Sequence, residues 1–187
     1  MRFLFPLASA VILSAAASAQ AATFSYDYLE GGFGEASDAG NADGDVIWLG
    51  GAKTLDGKFG LLGSLGIIDY NGGDGLALRG GGLYRQSLQK DLDLFATLEL
   101  VYSDYDFGPF SDSDIGLAAA GGLRYAVQDN FQLEGKLTLT EVDPFDDGLV
   151  LQVGARYFMD KRLSAAAGIA SDADYDGIYV NVRYHLK

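Results

Sequence analysis

A transmembrane antiparallel β-barrel of ten strands is the fold this sequence predicts, and three observations predict it. Apolar and polar residues alternate with a period of two through ten stretches. The joints between them alternate between tight turns and longer acidic loops. The N-terminus has the build of a cleavable export signal. Alternation alone also suits a soluble sheet with one wet face. Length decides between them: a tilted strand needs about ten residues to cross hydrocarbon, whereas soluble strands average about five or six.

The export signal comes first in the chain. Arg2 supplies the positive start, residues 3–13 the apolar run, and Ala17-Ser18-Ala19 a small-x-small cleavage site. Ala19-Gln20-Ala21 is an equally legal site, so the signal is expected to occupy 1–19 or 1–21, with the barrel domain at 20–187. The apolar run is too short for a spanning helix, which needs about 20 residues. The absence of Cys excludes disulfides and a lipoprotein anchor.

The strands are expected at 23–34, 44–54, 58–70, 76–87, 91–105, 114–127, 130–142, 148–159, 163–171 and 177–186. The fifth is the clearest, with Leu92, Leu94, Ala96, Leu98, Leu100 and Tyr102 opposite Asp93, Phe95, Thr97, Glu99 and Ser103. The seventh repeats it, setting Leu133, Leu137 and Leu139 against Gln132, Glu134, Lys136 and Thr138. The tenth sets Ile178, Val180, Val182 and Tyr184 against Tyr179, Asn181, Arg183 and His185. The ninth is short and Ala-rich, which makes eight strands the structural alternative. Girdles of aromatic side chains are expected at both rims: Tyr84, Tyr125, Phe131, Tyr157 and Tyr184 at the tight-turn end, Tyr26, Tyr28, Tyr70 and Tyr102 at the loop end.

Charge is distributed by end. The formal net charge is −13, so nucleic acid, which needs a basic patch, is a poor partner. The loops and their rims hold 17 of the 26 acidic residues and no Lys or Arg. Lys53, Lys58, Lys90, Lys161 and Arg162 lie toward the tight turns instead. Short inner turns and longer outer loops are the outer-membrane topology, which directs the acidic end outward.

Export signal, alternating strands and turn asymmetry together resemble the small outer-membrane β-barrels of Gram-negative bacteria, the OmpX/OmpA-like group. The opening Ser25-Tyr26-Asp27-Tyr28-Leu29-Glu30-Gly31-Gly32-Phe33 is also similar to the start of a xanthomonad-type family of small outer-membrane proteins. Gly177, Val180 and Val182 resemble the C-terminal signal read by the barrel assembly machinery, although the usual terminal Phe is replaced by Tyr184-His185-Leu186-Lys187. These resemblances imply an outer-membrane location and a monomer.

In lipid the charges opposite the apolar rows are costly, so Arg79, Arg85, Glu99, Arg124, Glu134, Lys136, Arg156 and Arg183 are expected to point into the lumen and pair there. Asp172-Ala173-Asp174-Tyr175-Asp176-Gly177 matches the first half of a calcium loop. An EF-hand needs Glu at its twelfth position, where Arg183 stands, so that reading fails. A looser Ca2+ or Mg2+ site at Asp172, Asp174 and Asp176 remains as an expectation.

No catalytic constellation is expected. The single His, His185, lies near the inner end of the last strand, and Gly80-Gly81-Gly82 has no following helix to cradle phosphate. The sequence therefore points to an integral outer-membrane barrel with a structural or surface-interaction role, lipopolysaccharide and cations being its expected partners. A small cation-preferring diffusion pore and a soluble periplasmic ligand carrier are the alternatives.

Overall fold

The computed structural model describes residues 24–38, 43–70, 72–142, 148–172 and 175–186. The export signal at 1–19 or 1–21 lies outside them. Ten strands run β1 Tyr28–Asp38, β2 Asp43–Thr54, β3 Phe59–Tyr70, β4 Gly73–Gln89, β5 Leu92–Phe107, β6 Phe110–Gln128, β7 Phe131–Glu141, β8 Gly148–Phe158, β9 Leu163–Ser171 and β10 Tyr175–His185. Every strand pairs antiparallel with its sequence neighbours, and β1 pairs with β10 to close the barrel. The eight-stranded alternative is excluded, because the Ala-rich β9 pairs on both edges.

The stagger fixes the size. From Gly32, one route through Trp48, Gly66, Ala77 and Ser103 meets β6 at Asp114. The other, through Asn181, Ala166, Arg156 and Gln132, meets it at Ala126, twelve residues further on. At ordinary strand spacing and rise, that offset gives a tilt of about 40° and a backbone radius of about 10 Å. Long inward side chains therefore fill much of the lumen's width.

The alternation sorts the faces. Leu49 is 66 % exposed, Leu100 63 % and Ile115 68 %, and comparable Leu, Ile and Val side chains ring the outside. Leaving each of these in water instead of an apolar medium costs about 1.5–3 kcal/mol. Summed over the belt this exceeds a domain's whole stability of about 5–15 kcal/mol, so the outer surface is suited to lipid. The soluble-carrier alternative required the Leu rows inside and the charges outside; the structure has them the other way round.

The aromatic girdle is present at the turn end, where Tyr84, Tyr125, Tyr157 and Tyr184 face outward and Phe59 packs on Tyr84 at 5.4 Å. At the loop end the expectation needs correction. Tyr102 faces outward, but Tyr70 points inward, and Tyr26 and Tyr28 lie inside the barrel at the opposite, turn end. The cause is the start of β1. The strand was expected from 23 but begins at Tyr28, and Phe24–Asp27 instead fold into the mouth of the barrel.

Two of the tight turns share one design. The Asp56 carboxylate accepts the Lys58 and Phe59 amides at 2.8 and 2.7 Å, and Asp160 accepts those of Arg162 and Leu163 at 2.6 and 2.8 Å. These amide donors hold both carboxyl groups below their ordinary range. The contribution of each turn is therefore complete at neutral pH and is lost only as pH falls through the lowered value, below 3.8. Amide-exchange protection at Phe59 and Leu163 is expected to persist at pH 5 and to fall in stronger acid. Asp56→Ala is expected to remove it for Phe59 at every pH.

Candidate functional site

The turn-end half of the lumen is built from inward residues of all ten strands, its charges coming from β1, β4–β8 and β10. On β1, period-two alternation turns Leu29 and Phe33 to lipid and so brings Tyr28 and Glu30 inside. Glu30 Oε2 accepts two hydrogen bonds from Arg183, from Nε at 3.0 Å and Nη2 at 2.8 Å, while Arg156 Nη2 lies 3.7 Å away. Arg183 also sits over the Tyr28 ring at 3.7 Å. Arg156 continues the network, donating to Asn181 Oδ1 at 2.8 Å and to Ser164 Oγ at 3.1 Å. Across the lumen Arg124 donates through Nε to Glu134 Oε2. These are strong charge-assisted contacts in a desolvated space, where each guanidinium has a carboxylate within reach.

Below this layer the N-terminal segment packs into the mouth of the barrel. Tyr26 is 2 % exposed, with Arg124 and Arg85 over its ring at 4.4 and 5.1 Å. Its neighbours Phe24, Ala52, Leu83 and Phe95 form an apolar cluster around it. Asp27 ties the segment to β2, accepting Lys53 Nζ at 2.9 Å and the Thr54 amide at 2.6 Å. Arg85 ties it to β4 by donating to the Phe24 carbonyl at 3.2 Å. The Leu186 amide ties it to the end of the chain through the Asp27 carbonyl at 2.9 Å.

Ser164 Oγ and His185 Nε2 are 2.9 Å apart, the pair from which a hydrolase activates a hydroxyl. Ser164 is fully buried, Arg156 also donates to its oxygen, Phe158 stacks on the imidazole at 5.2 Å, and His185 Nδ1 has no hydrogen-bond partner. The Ser164–His185 contact links β9 to β10.

Asp93 is the unusual member of this end: it is 1 % exposed and neither carboxylate oxygen has a hydrogen-bond partner. A buried carboxylate without donors is destabilising. Asp93→Asn is therefore expected to leave the urea midpoint of the folded barrel unchanged or to raise it, and a large fall would show that the charge is needed.

All eight expected lumen charges face inward. At the turn end Arg124 pairs with Glu134, Arg156 and Arg183 flank Glu30, and Arg85 joins the N-terminal segment. By register and tilt Arg79, Glu99 and Lys136 lie near midheight, where the Thr97 hydroxyl donates to Glu99 at 2.8 Å. Glu30, Tyr26 and Asp27 were missed as site residues. The alternation around Leu29 and Phe33 carried the signal for Glu30; nothing local marked the other two.

Of the acidic trio two members are described, and they lie on opposite faces. Asp172 lies on the inner side beside Gly148, and Asp176 faces outward next to Ser171. Asp174 lies outside the described residues, as do Asp143, Asp146 and Asp147. Among the described residues, no group of three or more His, Cys, Asp or Glu side chains is placed to hold a metal ion.

No family model matches the chain, and no curated protein matches it in sequence. Solved structures do. The NanC porin is similar at 12 % identity, with 84 % of this chain and 100 % of that chain covered and a TM-score of 0.51. The β-domain of the Bordetella autotransporter BrkA is similar at 13 % identity, with 84 % and 97 % covered and a TM-score of 0.50. Neisserial surface protein A is similar at 15 % identity, covering 87 % and 98 %, at a TM-score of 0.45. At these identities the likeness is one of fold: the architecture is that of outer-membrane β-barrels.

Proposed function

We propose that this chain is an integral outer-membrane barrel whose lumen is occluded at the periplasmic mouth, and whose role is structural or interactive at the outer face. The observation that carries the reading is the closing segment Phe24–Asp27, held between Arg85, Arg124 and Lys53 beneath the Glu30–Arg183–Arg156 cluster. A diffusion pore needs a continuous wet path, and here Phe24–Asp27 lie in the turn-end mouth of a barrel of about 10 Å backbone radius. The outward acidic loops favour cations and the divalent-bridged surface of lipopolysaccharide. The reading is of a monomer delivered by the barrel assembly machinery.

Two experiments test it. Isolated outer membranes should contain a form that migrates differently on a detergent gel before and after boiling. In planar bilayers the native barrel should show no steady conductance, and Tyr26→Ala combined with Asp27→Ala should open one. A steady, cation-selective current from the native barrel would overturn the occluded reading in favour of the pore.

A further inference from the structure

The outward half of the lumen differs in chemistry from the inward half. Between the midheight residues Arg79, Glu99 and Lys136 and the rim carboxylates Asp114 and Asp172, no described inward position carries a charge. Its wall is uncharged; Ser103, Thr138 and Thr140 are buried on the β5 and β7 side, and the opposite, apolar side is open. On β5 and β6, Val101 and Ala118 are 0 % and 1 % exposed. Val46, Ile68, Val150 and Ala170, which also face inward, remain partly exposed. The free space therefore lies against β2, β3, β8 and β9.

Two aromatic rings form the base of that space. Glycines make room for them against the wall. A Cβ at Gly32 would strike the Trp48 ring, and a Cβ at Gly154 or Gly168 would strike Tyr179. Trp48 and Tyr179 meet edge to face at 6.5 Å, and both stay partly exposed to the lumen.

We propose that this outward half is a binding compartment for a small, uncharged, apolar molecule, aromatic or short-chain aliphatic, with Trp48 and Tyr179 as its aromatic wall. The chemistry selects the class. A charged guest would lose its hydration and find no opposite charge above midheight, a penalty of several kcal/mol. Anions also meet the acidic rim first. An apolar cavity holds water poorly and takes up guests such as benzene instead. Size limits the guest to about one ring or a short chain, because wall side chains consume most of the radius of about 10 Å. That the compartment opens only outward rests on the occluded reading above.

Trp48 is the sole Trp of the chain, so its fluorescence reports from inside the compartment. The purified barrel in detergent, verified by its gel shift, is titrated with bromobenzene as apolar quencher and acrylamide as polar quencher. Saturable quenching by bromobenzene is expected to remove at least half of the emission, with acrylamide far weaker. Ala170→Phe should abolish the saturable component by filling the space and leave only the linear quenching that comes from partition into detergent. Val150→Phe serves if the first variant does not fold. Quenching that is linear and identical in the native and filled barrels would overturn the proposal. A conductance from the native barrel would sink the occluded reading without touching this titration, and a failed titration would leave that reading standing.

Discussion

Glu30→Leu is expected to lower the stability of the folded barrel by about 3–5 kcal/mol, the cost of stranding buried charge without its partner. Glu30 sits between Arg183 and Arg156, both less than a tenth exposed. The gel-shift midpoint in urea measures the effect. Arg183→Met alone is expected to cost less, because Arg156 stays beside Glu30. Glu30→Leu with Arg183→Met should recover part of the loss of Glu30→Leu, since one stranded cation is then gone. Equal midpoints for native and Glu30→Leu would show that water reaches and solvates this cluster.

Gly81→Ala is expected to prevent the barrel from folding, while Gly82→Ala beside it passes unnoticed. The two glycines differ only in the face they present. A Cβ at Gly81 would drive into the Leu98 carbonyl oxygen and lie 2.7 Å from the Glu99 Cα, both backbone atoms of β5 that no rotamer change can move. Overpacking against flexible side chains costs about 1–3 kcal/mol, and a clash with a paired strand costs more. A Cβ at Gly82 meets nothing within 4 Å. The yield of the unboiled, fast-migrating species compares the two. A folded, native-like Gly81→Ala barrel would mean that β4 and β5 can separate at that level without losing the fold.

The strands were legible because most place apolar residues at every second position for long enough to cross lipid, β5, β7 and β10 above all. Strand number followed from counting turns. The start of β1 was not legible: Phe24-Ser25-Tyr26-Asp27 alternates as a strand does, and only the three-dimensional fit of Tyr26 between Arg85 and Arg124 shows that it turns inward. The inward set of charges could be read from alternation, but their grouping could not. Arg183 and Glu30 are 153 residues apart, and their meeting depends on which strands close the barrel. The placement of Trp48 beside Tyr179 depends on the stagger, which no local pattern encodes. Asp172 and Asp176 are four residues apart yet lie on opposed faces of a hairpin, a difference that linear spacing hides.

The seam between β1 and β10 is the one strand pair not joined by a neighbouring turn or loop. Each other pair can zip as the chain emerges, whereas this one waits for the last strand. Until then two open edges carry unpaired amide and carbonyl groups, which hydrocarbon does not tolerate. Assembly is therefore committed late and in one step, and the Glu30–Arg183 pair acts as a latch that engages only when the circle is complete. A chain stopped before β10 would have no half-built form able to persist in the membrane, so what a cell must police is the floating precursor and not a leaky pore.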